Sequence, residues 1–127
     1  MAATHELSWQ GKRLVFALHG VFDMPGWAAW EARLRAAVAQ APAGGWTLLG
    51  DLSDFPAQAP EIQEKAKGLI VFGTAGGCRK SVLVVPKAVV AMQAKRLVRE
   101  SDDHQATEFV ASMAEADAVL TAFEAKL

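Results

Sequence analysis

The run Ser81-Val82-Leu83-Val84-Val85-Pro86 decides the fold. Its four middle residues are aliphatic without a polar break, and three of them are valine. A half-exposed strand alternates apolar and polar side chains. An unbroken run belongs to a strand covered on both faces, as in a parallel sheet. Pro86 lacks an N–H for the ladder and ends the run. Parallel strands are joined through crossover helices, and the flanking segments have helical period. Upstream, Glu61 to about Phe72 places Ile62, Ala66, Leu69 and Ile70 on one face, before a break at Gly73-Thr74-Ala75-Gly76-Gly77. Downstream, Ala88 to Arg99 turns Val90, Ala94, Leu97 and Val98 inward and Met92, Lys95, Arg96 and Arg99 outward.

The same alternation continues toward both ends. Trp46 to Leu52 is a short strand, followed by a polar, proline-bearing loop over Ser53 to Pro60. Before it, Trp27, Trp30, Leu34, Val38 and Ala41 recur at helical spacing behind Asp23, a good N-cap, with Pro25 in the first turn. Leu7 to Gln10 and Arg13 to His19 flank Gly11-Lys12 and read as a β-hairpin, Gly11 supplying the positive φ of the turn. In the second arm Leu14, Phe16 and Leu18 share one face and Val15 and Ala17 the other, so both faces of this strand are expected to be covered. Thr107 to Ala111 is a last strand. Ser112 and Glu115 form a capping box for a helix with Ala116, Val119, Leu120 and Phe123 inward. The order is β-β-α-β-α-β-α-β-α. It predicts an α/β fold in one domain over residues 1–127: a mainly parallel five-stranded sheet with an N-terminal antiparallel hairpin and four helices.

Composition agrees and excludes other classes. The 127 residues are 52% hydrophobic with a net charge of −1, which is not the balance of a disordered chain. Alanine supplies 25 of the apolar residues and suggests helices pressed closely on a flat surface. No apolar run approaches the ~20 residues of a membrane span. The single cysteine, Cys78, forms no internal disulfide, and the N-terminus lacks a signal-peptide pattern, so a cytoplasmic location is expected. His5, His19 and His104 are scattered without metal-ligand spacing, so neither a metal nor a cofactor is expected.

Ligands meet such sheets at the carboxyl ends of the strands. That edge collects Asp23, Asp51, Ser53, Asp54, Lys87 and Ser112. Asp23 and Ser112 serve first as helix caps. Asp51 ends an apolar strand, where it either accepts N–H bonds from the following loop or acts as a base with a raised pKa, and His19 lies at the end of the neighbouring strand. The glycine loop before Lys80-Ser81 is no phosphate loop: Arg79 stands where that motif needs glycine, and the loop precedes a strand rather than a helix. Cys78 beside Arg79 and Lys80 is either an inert thiol or one of lowered pKa.

Charge is unevenly placed. Lys65 to Arg99 holds eight Lys or Arg and no Asp or Glu, while Glu100 to Leu127 holds seven acids and one base. Lys95, Arg96 and Arg99 share a helix face, either as a solvated surface or as an attractor for an acidic protein, a phosphorylated ligand or anionic lipid. Nucleic acid is not expected, since no aromatics interleave these charges and the total is not basic.

The layout resembles that of the SpoIIAA-like proteins, or STAS-like domains (sulfate transporter and anti-sigma factor antagonist). Residues from about Arg13 to Leu120 carry the resemblance. Gly20-Val21-Phe22-Asp23 precedes an amphipathic helix, and Leu48-Leu49-Gly50-Asp51-Leu52-Ser53 forms a core strand. Ser81 to Val85 precedes a basic helix, and Thr107-Glu108-Phe109 with Ala114-Glu115-Ala116 closes the pattern. The resemblance implies a β/α superhelix with strands in near-consecutive order, used for binding rather than catalysis. Anti-sigma factor antagonists open their second helix with a phosphorylatable serine. Eight residues after Asp51 this chain has Ala59, which has no hydroxyl.

Three functions follow as expectations. The first is a non-enzymatic protein-binding or regulatory module, without the phosphorylation switch. The second is a small anionic or lipidic ligand-binding domain with a CRAL-TRIO-like pocket lined by the carboxyl-end loops and Lys87. The third is an Asp51/His19 enzyme. An unidentified protein or small anionic ligand is the expected partner. Peripheral membrane contact, and a homodimer through Trp or Phe rings near the hairpin, are further expectations.

Overall fold

A computed structural model describes residues 3–101 and 107–127. His104, and the acids Asp102 and Asp103 of the acidic tail, lie outside the described residues. The hairpin forms as its turn dictates: β1 (Thr4–Gln10) and β2 (Arg13–His19) pair antiparallel from Gln10↔Arg13 outward, with Gly11 at φ 62°. Then follow α1 (Met24–Ala39), β3 (Trp46–Asp51), α2 (Pro60–Ala75), β4 (Cys78–Val84), α3 (Ala88–Glu100), β5 (Thr107–Val110) and α4 (Met113–Glu124). The sheet order is β1-β2-β3-β4-β5, and every pair after the first is parallel. This is the α/β class and the element order that the sequence predicts. Among the described residues no helix is long and apolar enough to cross a membrane.

The order explains the layering. Three successive right-handed crossovers step in one direction across the sheet, so α1, α2 and α3 fall on the same face. Their buried residues, Trp27, Trp30, Leu34 and Val38 from α1, Ile62 and Leu69 from α2 and Val90 from α3, join Leu14, Phe16 and Leu18 in one core. The helix after β5 has no crossover to make and covers the other face, where Ala116 and Leu120 pack on Leu49, Val82 and Val84.

Two caps hold as expected. The Asp23 carboxylate accepts from the Gly26 N–H at 2.7 Å, and the Ser112 hydroxyl accepts from the Glu115 N–H at 3.2 Å. Gly50 sits in mid-strand because a Cβ there would lie 2.4 Å from Phe16 Cζ and 2.7 Å from Leu83 Cδ2.

Four expectations are corrected. The second helix does not stop at Gly73 but runs to Ala75, and the turn is made by Gly76-Gly77. A glycine inside a helix costs only about 1 kcal/mol, which packing offsets. The strand expected at Ser81 begins at Cys78 and ends at Val84. The second face of β2 is only partly covered: Val15 packs against the core under α4, while Ala17 is half-buried and outside it. Alanine is mostly an outward residue here. Ala28, Ala29, Ala32, Ala36 and Ala39 of α1 and Ala114, Ala118 and Ala122 of α4 are exposed, so the excess reflects helix propensity more than close packing.

The rings expected to pair two copies are committed inward. Trp27, Trp30 and Trp46 are buried, and Trp9 donates its indole N–H to Ala37 O at 3.1 Å and stands edge-on to Trp46.

Candidate functional site

The carboxyl edge contains the predicted residues, but each has a local task. Asp51 Oδ1 accepts from the Ser53 N–H at 3.0 Å and from the Ser53 hydroxyl at 2.5 Å, closing the turn after β3. Asp54 and Glu6 clasp His19, at 3.1 Å from Nδ1 and 2.7 Å from Nε2 respectively. The Asp51/His19 pair is therefore not assembled: Asp51 goes to its own loop and His19 to two other carboxylates. Lys87 is exposed at the N-cap of α3 and makes no cap bond. Cys78 is buried, its sulfur 3.4 Å from the Ser81 hydroxyl.

The Glu6 hydrogen bond, and then that of Asp54, hold the His19 pKa above the ordinary histidine value. The protonated ring is thus favoured by folding. Its contribution is complete below the unfolded pKa of about 6.5 and is lost as pH rises through the raised folded value. Both carboxylates are exposed, so the contribution is about 0.5 kcal/mol. His19→Gln should lower stability at about pH 6 and approach neutrality well above the folded pKa. Urea unfolding at the two pH values measures the difference.

The basic face of α3 is partly engaged. Lys95 lies over the Phe109 ring at 5.7 Å. Arg96 bonds Gln63 of α2 and stands 3.8 Å from Glu100. Glu100 also takes Lys67 at 3.1 Å. Arg99 is exposed, as are Met92 and Val89, about two and three turns before it.

A residue that sequence reading passes over holds the edge together. Gln58 is 6% exposed. Its side-chain oxygen accepts the Phe22 N–H at 2.8 Å, and its amide donates to Gly20 O at 3.1 Å and Pro56 O at 2.7 Å. Its backbone meets Gln93 of α3 and Gln63 of α2. A glutamine in a polar loop has no periodicity to announce burial.

The second unpredicted feature is a cavity of about 150 Å³ between α1, α2, α3 and the sheet. Trp27, Trp30 and Trp46 form part of its wall, with Phe16, Leu48 and Leu83 from the sheet, Leu69 and Ile70 from α2 and Ala94 and Leu97 from α3. Leu48 and Leu83 sit on the central strands yet are only half-buried, so the cavity is not sealed. Its polar lining is Gln93, Ser81, Thr74 and Thr107, and among the described residues no charged side chain lines it. Of the carboxyl-end loops and Lys87, expected to line a pocket, Leu52 and Phe55 after β3 are in its wall and Lys87 is not. Trp27 carries the one buried side-chain polar atom without a hydrogen-bond partner among the described residues, its indole N–H. Such a group left unsatisfied costs about 1–3 kcal/mol.

No protein-family model matches the chain, and no curated protein matches it.

Proposed function

We propose that this chain is a non-enzymatic binding domain for a small, neutral, largely apolar molecule with one hydrogen-bond acceptor. The observation that carries this reading is the cavity walled by three tryptophans, one of which bears the orphan N–H. A carboxylate placed there would lie against an uncharged wall, at a desolvation cost of several kcal/mol. A neutral carbonyl or hydroxyl oxygen has no such cost, and would satisfy Trp27 once the indole N–H, closed off from the cavity here, turns toward it. An apolar cavity of about this volume admits a benzene-sized molecule. A ligand of about eight heavy atoms gains roughly 5 kcal/mol, a Kd on the order of 0.2 mM.

The tryptophans report the event. Titration with benzyl alcohol and acetophenone should shift tryptophan emission, and at ten times Kd should raise the Tm by about 5 °C. Benzoate should bind more than tenfold more weakly. Trp27→Phe keeps an aromatic, though smaller, ring and removes the N–H, and should weaken the neutral probes about tenfold. Ala94→Leu should fill the cavity and weaken them further without unfolding the chain. Absence of any shift with neutral probes, or stronger binding of benzoate, contradicts the reading.

The α3 surface supports a second reading, a regulatory module of the SpoIIAA-like type that meets an acidic protein or anionic lipid. Exposed Val89 and Met92 stand beside Lys87, Lys95, Arg96 and Arg99. Sedimentation with vesicles containing phosphatidylserine should be salt-sensitive and reduced by Arg99→Glu if lipid is the partner. The capture of a protein but no vesicle would assign the face to an acidic protein.

A further inference from the structure

Among the described residues β1 is an edge strand, bonded to β2 alone. The two-residue turn makes Gln10↔Arg13 a hydrogen-bonded pair. By alternation Glu6 and Ser8 spend their backbone groups on β2, while His5, Leu7 and Trp9 turn theirs outward. An outward row of this kind accepts a further strand unless something guards it.

Arg33 of α1 is the guard. It donates to His5 O at 3.0 Å and to Leu7 O at 3.3 Å, and Nη1 lies 3.1 Å from His5 Nδ1. Burial, and then Arg33, hold the His5 pKa below its ordinary value, so the ring adds no charge at neutral pH. Arg33 has no carboxylate partner among the described residues. Beside it, between β1 and α1, runs an open cleft of about 250 Å³. Leu7, Trp9 and Leu14 line one side and Arg33, Ala36 and Ala37 the other. An edge strand facing a helix across a groove is the geometry that takes up an extended peptide.

We propose that this cleft docks an extended acidic segment of a partner protein. The segment adds as a sixth strand beside β1, and its carboxylate draws Arg33 off the two carbonyls. The exchange conserves hydrogen bonds. His5 O and Leu7 O pass from the guanidinium to N–H groups of the incoming strand, and the guanidinium passes to a carboxylate, a stronger acceptor. A neutral or basic segment would open the edge without offering Arg33 a new partner, so the guard selects for acid. The proposal is independent of the cavity, with which the cleft shares no lining residue, and the probes for the two sites differ.

The test uses two labelled nine-residue peptides of alternating threonine and valine, one with a central glutamate and one with a central lysine. Fluorescence anisotropy with the full chain should show the glutamate peptide binding at least tenfold more tightly. Hydrogen exchange should show protection gained at the Leu7 and Trp9 amides when it binds. Arg33→Gln is a surface change that should leave the fold intact and bring the two affinities within about twofold of each other. Equal affinities for the native chain, or no added protection at Leu7 and Trp9, would overturn the proposal. So would a concentration-dependent dimer that protects the same amides without peptide, which assigns the edge to a second copy.

Discussion

Arg13→Ala is expected to lower stability by about 3 kcal/mol, although Arg13 lines neither the cavity nor the cleft beside β1. Its guanidinium grips both Glu124 oxygens, at 2.9 Å from Nε and 2.8 Å from Nη2, and reaches Asp117 at 2.7 Å and Thr121 at 3.3 Å. Glu124 also accepts the hydroxyl of fully buried Thr47 at 2.6 Å. The network therefore fastens α4 to β2 and β3. Removing the arginine leaves the Glu124 carboxylate half-buried with Thr47 as its one remaining donor, which costs more than a surface pair would return. Arg13→Met with Glu124→Met should recover most of the loss, because the orphaned charge is then gone. Guanidinium chloride unfolding of the single and double variants measures both.

The same site has a pH signature. The Arg13 hydrogen bond, with help from Thr47, holds the Glu124 pKa below its ordinary value. Its contribution is present above the unfolded pKa of about 4.3 and is lost as pH falls through the lower folded value. The gap between the native chain and Glu124→Gln should therefore close in acid. A gap that persists below about pH 3 would mean that the carboxylate acts by shape rather than charge.

Trp30→Ala should cost about 4 kcal/mol, or roughly 15 °C in Tm. Trp30 is 2% exposed and packs its ring on Phe16 at 5.2 Å and on His5 at 5.5 Å. It also walls the cavity, so truncation enlarges a space that the surrounding helices already fail to close. A benzene-sized apolar compound should restore part of the loss by occupying it. Thermal unfolding with and without the compound is the measurement. A cost below about 1 kcal/mol would show that α1 collapses onto the sheet.

Much of the fold was legible because it rests on short-range periodicity. Trp27, Trp30, Leu34 and Val38 recur at helical spacing, and they are the buried residues of α1. The unbroken valine run marked β4 as an interior strand, and it is paired on both sides. The site was less legible. Asp51 and Ser53 are near in sequence, and their turn could be read. Gln58 bonds to Gly20, Phe22 and Gln93, partners more than thirty residues away, and nothing local marks it. The polar partners of Arg13 did leave a trace: Asp117, Thr121 and Glu124 recur at i, i+4 and i+7, a polar stripe beside the apolar one on α4. That stripe identifies a face, but not the arginine more than a hundred residues earlier that meets it.

The amino-acid sequence by itself determined the order of strands and helices, the inward face of each helix, the hairpin turn and the caps. These depend on the 3.6- and 2-residue periods and on residues within a few positions of one another. Only the tertiary structure decided how far α2 and α3 stand from the sheet, and so whether a cavity remains. It also decided that Arg33 reaches over the edge of β1 and that Arg13 meets α4. Those outcomes depend on the sum of side-chain volumes and on charges brought together from distant positions, neither of which any local pattern encodes.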